Sequence, residues 1–147
     1  MAKKTDAIIT IGSKVRDELL AVGIGRHDQY TSIAPGIAPL EKRDSAKVRT
    51  RLGIGAKDVV VMWLGRFTQV KRPDHVVEIA KRFPETVFVM AGGGELFDKN
   101  RADAPTNVKF VGFEDKNDMW AIADIGLCTS DSEGMPLSLI EAQLAGV

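Results

Sequence analysis

The chain has 147 residues, 44% apolar and 27% charged, enough for a core and too mixed for a disordered or fibrous chain. Its 20 basic residues balance 20 acidic ones, which excludes a broadly basic nucleic-acid-binding surface. The lone cysteine, Cys128, excludes an internal disulfide, and no Cys/His cluster offers a zinc site. That cysteine usage makes reducing cytoplasm the expected compartment, and the start, MAKKTDAIIT, with only a short apolar stretch, reads as neither a signal peptide nor a spanning helix.

In chain order, AIITI (Ala7 to Ile11) predicts a strand. SKVRDELLAVG predicts a helix with Ser13 as N-cap and Gly23 as its stop. YTSIAPGIAPL predicts a strand that leaves through a Pro/Gly stretch. Pro35, Gly36 and Pro39 make the segment from Pro35 to Arg43 the expected hinge, with 1–36 on one side and 37–147 on the other. DSAKVRTRLG is a capped helix closed by Gly53. VVVMWL (Val59 to Leu64) and VFVMA (Val87 to Ala91) are continuous apolar runs, as in strands buried on both faces of a parallel sheet. VKFV (Val108 to Val111) and IGLC (Ile125 to Cys128) predict two more strands. Between them, RPDHVVEIAKRF places Val76, Ile79, Ala80 and Phe83 on one helical face, with Pro73 in the first turn. DKNDMWAIAD predicts a short helix, and a last helix starts near Pro136. Strand alternating with helix predicts an α/β fold with a doubly wound, Rossmann-like parallel sheet. Where AQLAGV closes the last helix such a sheet continues with a strand, so a truncated domain is expected.

Ligands of open parallel sheets bind at the carboxyl ends of the strands. All four strand ends here carry basic, polar or glycine-rich loops: Gly65, Arg66, Lys71 and Arg72; Gly92, Gly93 and Gly94; Gly112 and Phe113; and TSDSEGMP. Arg66 and Lys71 suit a diphosphate, one by forked hydrogen bonds and the other as a point charge. The ordinary alternative is a solvated charge run. The glycines let backbone N–H groups approach a phosphate or sugar, or they make only a tight turn. Phe97 stands where G-x-G-x-x-G needs glycine, which argues against nicotinamide or flavin cofactors. After Pro136 the amides of Leu137, Ser138 and Leu139 are expected to open an anion site. In that helix Leu137, Ile140 and Leu144 form the expected apolar face. Glu141 then lies off it, near the helix start, and suits a ribose diol better than a phosphate; otherwise it is a surface glutamate favoured by the helix dipole. His27 and His75 read as structural, and Cys128, Trp63 and Trp120 as core. No D-x-D motif appears, so no divalent metal is expected.

The series G-R-x4-K, A-G-x-G, V-x-F-x-G and S-x-x-E-G-x-P-x4-E-A resembles the retaining glycosyltransferases of family 4, which have the GT-B fold. The resemblance covers nearly the whole chain, and it implies the tail of an N-terminal acceptor domain followed by a C-terminal donor-binding domain. It implies transfer of a sugar from a nucleoside-diphosphate donor with retention, and no cofactor. By similarity Arg66 and Lys71 hold the diphosphate, Glu133 lies near the donor sugar and Glu141 near the ribose. Arg66, Lys71 and Glu133 are then the catalytic set. Gly65, Gly92, Gly93, Gly94, Gly134, Met135, Leu137 and Ser138 complete the donor site, with Gly112 and Phe113 near the base. A sugar, lipid or other acceptor belongs to the remaining domain, and peripheral contact with the inner membrane face stays open. Two departures stand out: Arg72 replaces the usual glycine after the lysine, and APGIA replaces P-N-G. A nucleotide-sugar epimerase and a non-catalytic nucleotide-binding module are the alternatives.

Overall fold

A computed structural model describes residues 4–147, which fall into two compact units. One reaches to Ala38 and includes Glu133–Met135; the other comprises Pro39–Ser132 and Pro136–Val147.

In the first unit, β1 (Ile8–Thr10) and β2 (Tyr30–Ser32) pair in parallel, and α1 (Ser13–Ala21) lies between them in sequence. The expected N-cap at Ser13 is displaced by one residue. Extended backbone runs on through Gly12, which becomes the N-cap, and Ser13 is already helical with no side-chain cap bond. The stop falls at Gly23, whose φ is +76°; its amide reaches the Leu20 carbonyl (3.0 Å) and that of Ile24 reaches Leu19 (2.9 Å).

The second unit holds a four-stranded sheet in the order β5-β4-β3-β6, every pair parallel. Its strands are β3 (Val60–Leu64), β4 (Val87–Ala91), β5 (Val108–Gly112) and β6 (Ile125–Gly126). The apolar runs form strands because the pleat sends alternate residues to two separate cores. Val60, Met62, Val89 and Ala91 face one core with Val48, Met119, Trp120 and Ala142; Val61, Trp63, Phe88 and Met90 face the other with Val76, Val77 and Ala80. The first core is supplied by α2 (Ser45–Arg51), α5 (Lys116–Ile122) and α6 (Leu137–Leu144), the second by α3 (Pro73–Arg82). Helices on both faces make the sheet doubly wound. Among the described residues, no helix is long and apolar enough to cross a membrane.

Some expectations fail locally. Phe83 lies past the end of α3 and is 50% exposed, because the helix closes at Arg82. The strand in IGLC spans only Ile125 and Gly126, with the Leu127 amide making the last bond to β3, to the Met62 carbonyl at 2.9 Å, so Cys128 lies beyond the strand and is only partly buried. An additional helix, α4 (Phe97–Asp103), follows the glycine loop.

Polar bonds fix the connections. Arg49, its side chain only 13% exposed, donates to the carbonyls of Gly55, Asp58 and Ile122 and to Asp124. Asp124 in turn accepts from the Val60 amide at 2.8 Å, so one guanidinium ties α2 to the starts of β3 and β6. Asp115 caps α5; its carboxyl is held below the usual carboxylate range first by the Asn117 backbone N–H and then by Arg43. The folded value is the lower one, so this cap supports the fold above the unfolded carboxylate pKa and is lost as pH falls through the folded value.

Candidate functional site

The carboxyl ends of β3, β4 and β5 are laced together by backbone bonds. The Gly65 amide donates to the Ala91 carbonyl (3.0 Å), Phe67 to Gly93 (2.9 Å), Leu96 to Phe67 (3.0 Å) and Gly92 to Gly112 (2.7 Å). This lacing explains the glycines. A Cβ on Gly92 (φ +129°) would lie 1.9 Å from the Gly65 carbonyl oxygen, and one on Gly94 (φ +149°) 2.6 Å from that of Phe67. Both therefore serve the approach of two loops to each other. Gly93 faces differently: a Cβ there would meet the Phe113 ring at 2.7 Å. Phe113 is 88% exposed, an aromatic face displayed at the strand ends.

The β3 loop is anchored by Phe67, fully buried between Trp63 and Phe97, each at a centroid distance of 4.9 Å. With Phe67 pointing inward, its neighbour Arg66 is exposed, and the Arg66 side chain has no ionic or hydrogen-bonding partner among the described residues. Two residues on, the Thr68 hydroxyl is buried and likewise unpartnered. The loop closes in a 3-10 turn, Gln69–Lys71, with Lys71 half-buried. So Gly65, Arg66, Lys71, Gly92, Gly93, Gly94, Gly112 and Phe113 occupy adjoining strand ends of one sheet.

Arg72 occupies a position that favours glycine. Its φ of 49° and ψ of 54° are left-handed, and it is the one non-glycine residue with positive φ among the described residues. Its guanidinium is turned to Asp74 (2.8 Å) and Asp131 (3.2 Å) and also contacts His75. Asp74 is held below the usual carboxylate range by that Arg72 hydrogen bond. Arg72→Gly and Arg72→Ala lose the same ion pairs, and only alanine keeps the backbone strain. The glycine variant is expected to be the more stable by about 1 kcal/mol, read by chemical denaturation. Equal stabilities would show that the turn is unstrained.

At α6, two expectations change. The Leu139 amide is taken by the Pro136 carbonyl at 3.0 Å, so the helix N-terminus offers the amides of Leu137 and Ser138. The apolar face also differs: Ala142 is 3% exposed and packs with Leu139 against Gly126, whereas Leu137 and Leu144 are 44% and 56% exposed. The helix uses the side where Gly126 leaves room, not the side with the largest residues. That rotation carries Glu141 inward, to 12% side-chain exposure. Its Oε1 accepts from Lys116 Nζ at 2.7 Å, and its Oε2 lies 3.5 Å from the Trp120 indole nitrogen. Lys116, not singled out in the sequence, thus neutralises a carboxylate near the helix start, which lessens its repulsion of an anion. Both carboxylate oxygens keep lone pairs for a diol. Glu133, Gly134 and Met135 group with the first unit, where Gly134 packs closely on Ile11 and Val15.

Sequence reasoning also missed Thr129. It stands directly after the IGLC run, and only its place in a strand-end loop could have drawn attention to it.

The family model for glycosyl transferases group 1 matches residues 44–147. The chain belongs to this family. Among curated relatives, alpha-galactosylglucosyldiacylglycerol synthase of Streptococcus pneumoniae is 24% identical over 95% of the chain and 41% of the synthase. The O-antigen biosynthesis glycosyltransferase WbnH of Escherichia coli is 30% identical over 59% of the chain and 26% of its own length. Among solved structures, Anabaena HepE in complex with UDP and glucose superposes with a TM-score of 0.87 at 22% identity, over 99% of this chain and 44% of HepE. Sucrose-phosphate synthase of Thermosynechococcus elongatus gives 0.80 at 20% identity, over 99% and 40%. The chain has the GT-B type of parallel α/β fold and spans less than half the length of each of these relatives.

Proposed function

We propose that this chain forms the donor-binding part of an enzyme that moves a sugar from a nucleoside-diphosphate sugar to an acceptor, with retention of configuration. The observation that carries the reading is Arg66: an exposed guanidinium without a partner among the described residues, held at a strand end by buried Phe67, in the same loop as Lys71. As the bond from sugar to diphosphate breaks, negative charge grows on the leaving diphosphate. Arg66, Lys71 and the α6 amides of Leu137 and Ser138 are the groups that receive it. Phe113 offers a face for the base and Glu141 two acceptors for the ribose hydroxyls. The donor class is supported by the UDP and glucose complex of HepE, and the family membership supports transfer. A sugar or lipid acceptor accords with the names of the relatives, a diacylglycerol glycolipid synthase and an O-antigen glycosyltransferase.

The test incubates the complete protein with UDP-, GDP- and ADP-sugars, with and without saccharide and diacylglycerol acceptors, and follows the anomeric proton by NMR. The expected result is acceptor-dependent transfer with the donor's anomeric configuration kept. Conversion of donor to an epimer without any acceptor would replace this reading by an epimerase, and inversion would remove the retaining assignment.

A further inference from the structure

We propose that Thr129 is a positioning residue for Lys71, an inference that rests on the diphosphate-binding role given to Lys71 above. The Thr129 hydroxyl sits between two fixed groups. It accepts from Trp63 Nε1 at 3.0 Å and donates to the Lys71 carbonyl oxygen at 2.9 Å. The direction is not ambiguous, because an indole N–H only donates, a carbonyl only accepts, and a hydroxyl has one proton to give. Trp63 is 3% exposed, lies on β3 and meets Phe67 edge-on, so its N–H is a fixed reference point in the core. The hydroxyl transmits that position to the main chain of Lys71.

Neighbouring bonds act in the same sense. The Asp131 amide donates to the Val70 carbonyl at 2.9 Å, and Asp131 pairs with Arg72. The 3-10 turn bearing Lys71 is thus clamped to the loop after β6 through residues 70, 71 and 72. Without the central bond the turn loses one of its three ties to this loop, and the main chain that carries the Lys71 side chain is less firmly placed. A preorganised cation binds an anion more tightly than a mobile one of equal charge.

A purely structural role for Thr129, satisfying the Trp63 indole, makes a different prediction, and a double-mutant cycle separates the two. UDP, GDP and ADP are titrated calorimetrically into the complete protein as wild type, Thr129→Val, Thr129→Ser, Lys71→Ala and the Thr129→Val/Lys71→Ala double variant. Thr129→Val is expected to weaken the nucleotide that binds by about 5- to 10-fold, the scale of one neutral hydrogen bond. Thr129→Ser, which keeps the hydroxyl, is expected to restore binding. In the Lys71→Ala background, Thr129→Val is expected to have no further effect. Should Thr129→Val fail to fold, Thr129→Ala removes the same hydroxyl from this half-buried position and takes its place. The inference is overturned if the hydroxyl-deleting variant binds like wild type while Lys71→Ala does not, or if its loss is the same in both backgrounds. If the wild type binds none of the three nucleotides, or Lys71→Ala binds as well as wild type, the donor-site reading itself fails and the positioning role falls with it.

Discussion

Arg66→Ala weakens nucleoside-diphosphate binding by about 10- to 100-fold, the scale of charge-assisted hydrogen bonds to one guanidinium, with thermal stability unchanged. Both halves of this expectation come from one observation. Arg66 is exposed and its side chain has no partner among the described residues, so removing it breaks nothing in the fold. Its place is nevertheless fixed by Phe67, fully buried next to it. Arg66→Lys is expected to recover only part of the affinity, because an ammonium supplies charge without the fork. Calorimetric titration beside a thermal melt reads the two effects together. Affinity unchanged in Arg66→Ala would remove this residue from the site, and a large drop in melting temperature would show that it has a structural task.

The second large effect is on stability. Gly92→Ala places a methyl group 1.9 Å from the Gly65 carbonyl oxygen at a φ of +129°. Neither obstacle relaxes easily, because the clash is with backbone that is itself hydrogen-bonded to Ala91. Backbone strain and overpacking of about 1–3 kcal/mol each add to a loss of roughly 2–6 kcal/mol. Gly112→Ala is the internal control: φ is +70°, but a Cβ there meets nothing within 4 Å. It should cost only the left-handed penalty, about 1–2 kcal/mol. Denaturant melts of the two variants check the contrast; equal losses would show that the loops part readily, and that Gly92 is not needed for their approach.

The sheet was legible in the sequence because its strands are buried on both faces. Val60 to Leu64 and Val87 to Ala91 feed two cores alternately, and both cores demand apolar residues. Their carboxyl-end loops were therefore legible as well, and with them Arg66, Lys71, Gly92 to Gly94, Gly112 and Phe113. Helix α4 was not, because Phe97 is its one large apolar residue and the side chain it buries most is that of Asn100. The rotation of α6 was hidden because it depends on space left by Gly126, on a different element. Glu141 followed that rotation to Lys116, 25 residues away in the chain. Thr129 connects residues 66 and 58 positions distant. Hydroxyl bonds between loops leave no periodic signal, whereas buried strands do.

The most direct test of the central claim, that the strand ends of the second unit hold a nucleoside-diphosphate sugar, is amide mapping by NMR. Isotope-labelled protein is titrated with UDP, GDP and ADP to millimolar concentration, a range that captures weak binding. One nucleotide is expected to shift the amides of Gly65, Arg66, Gly93, Phe113, Leu137 and Ser138 together and to saturate. Shifts confined to other surfaces, such as the groove lined by His75, Ile79 and Cys128, would contradict the account, as would no saturable shift with any of the three.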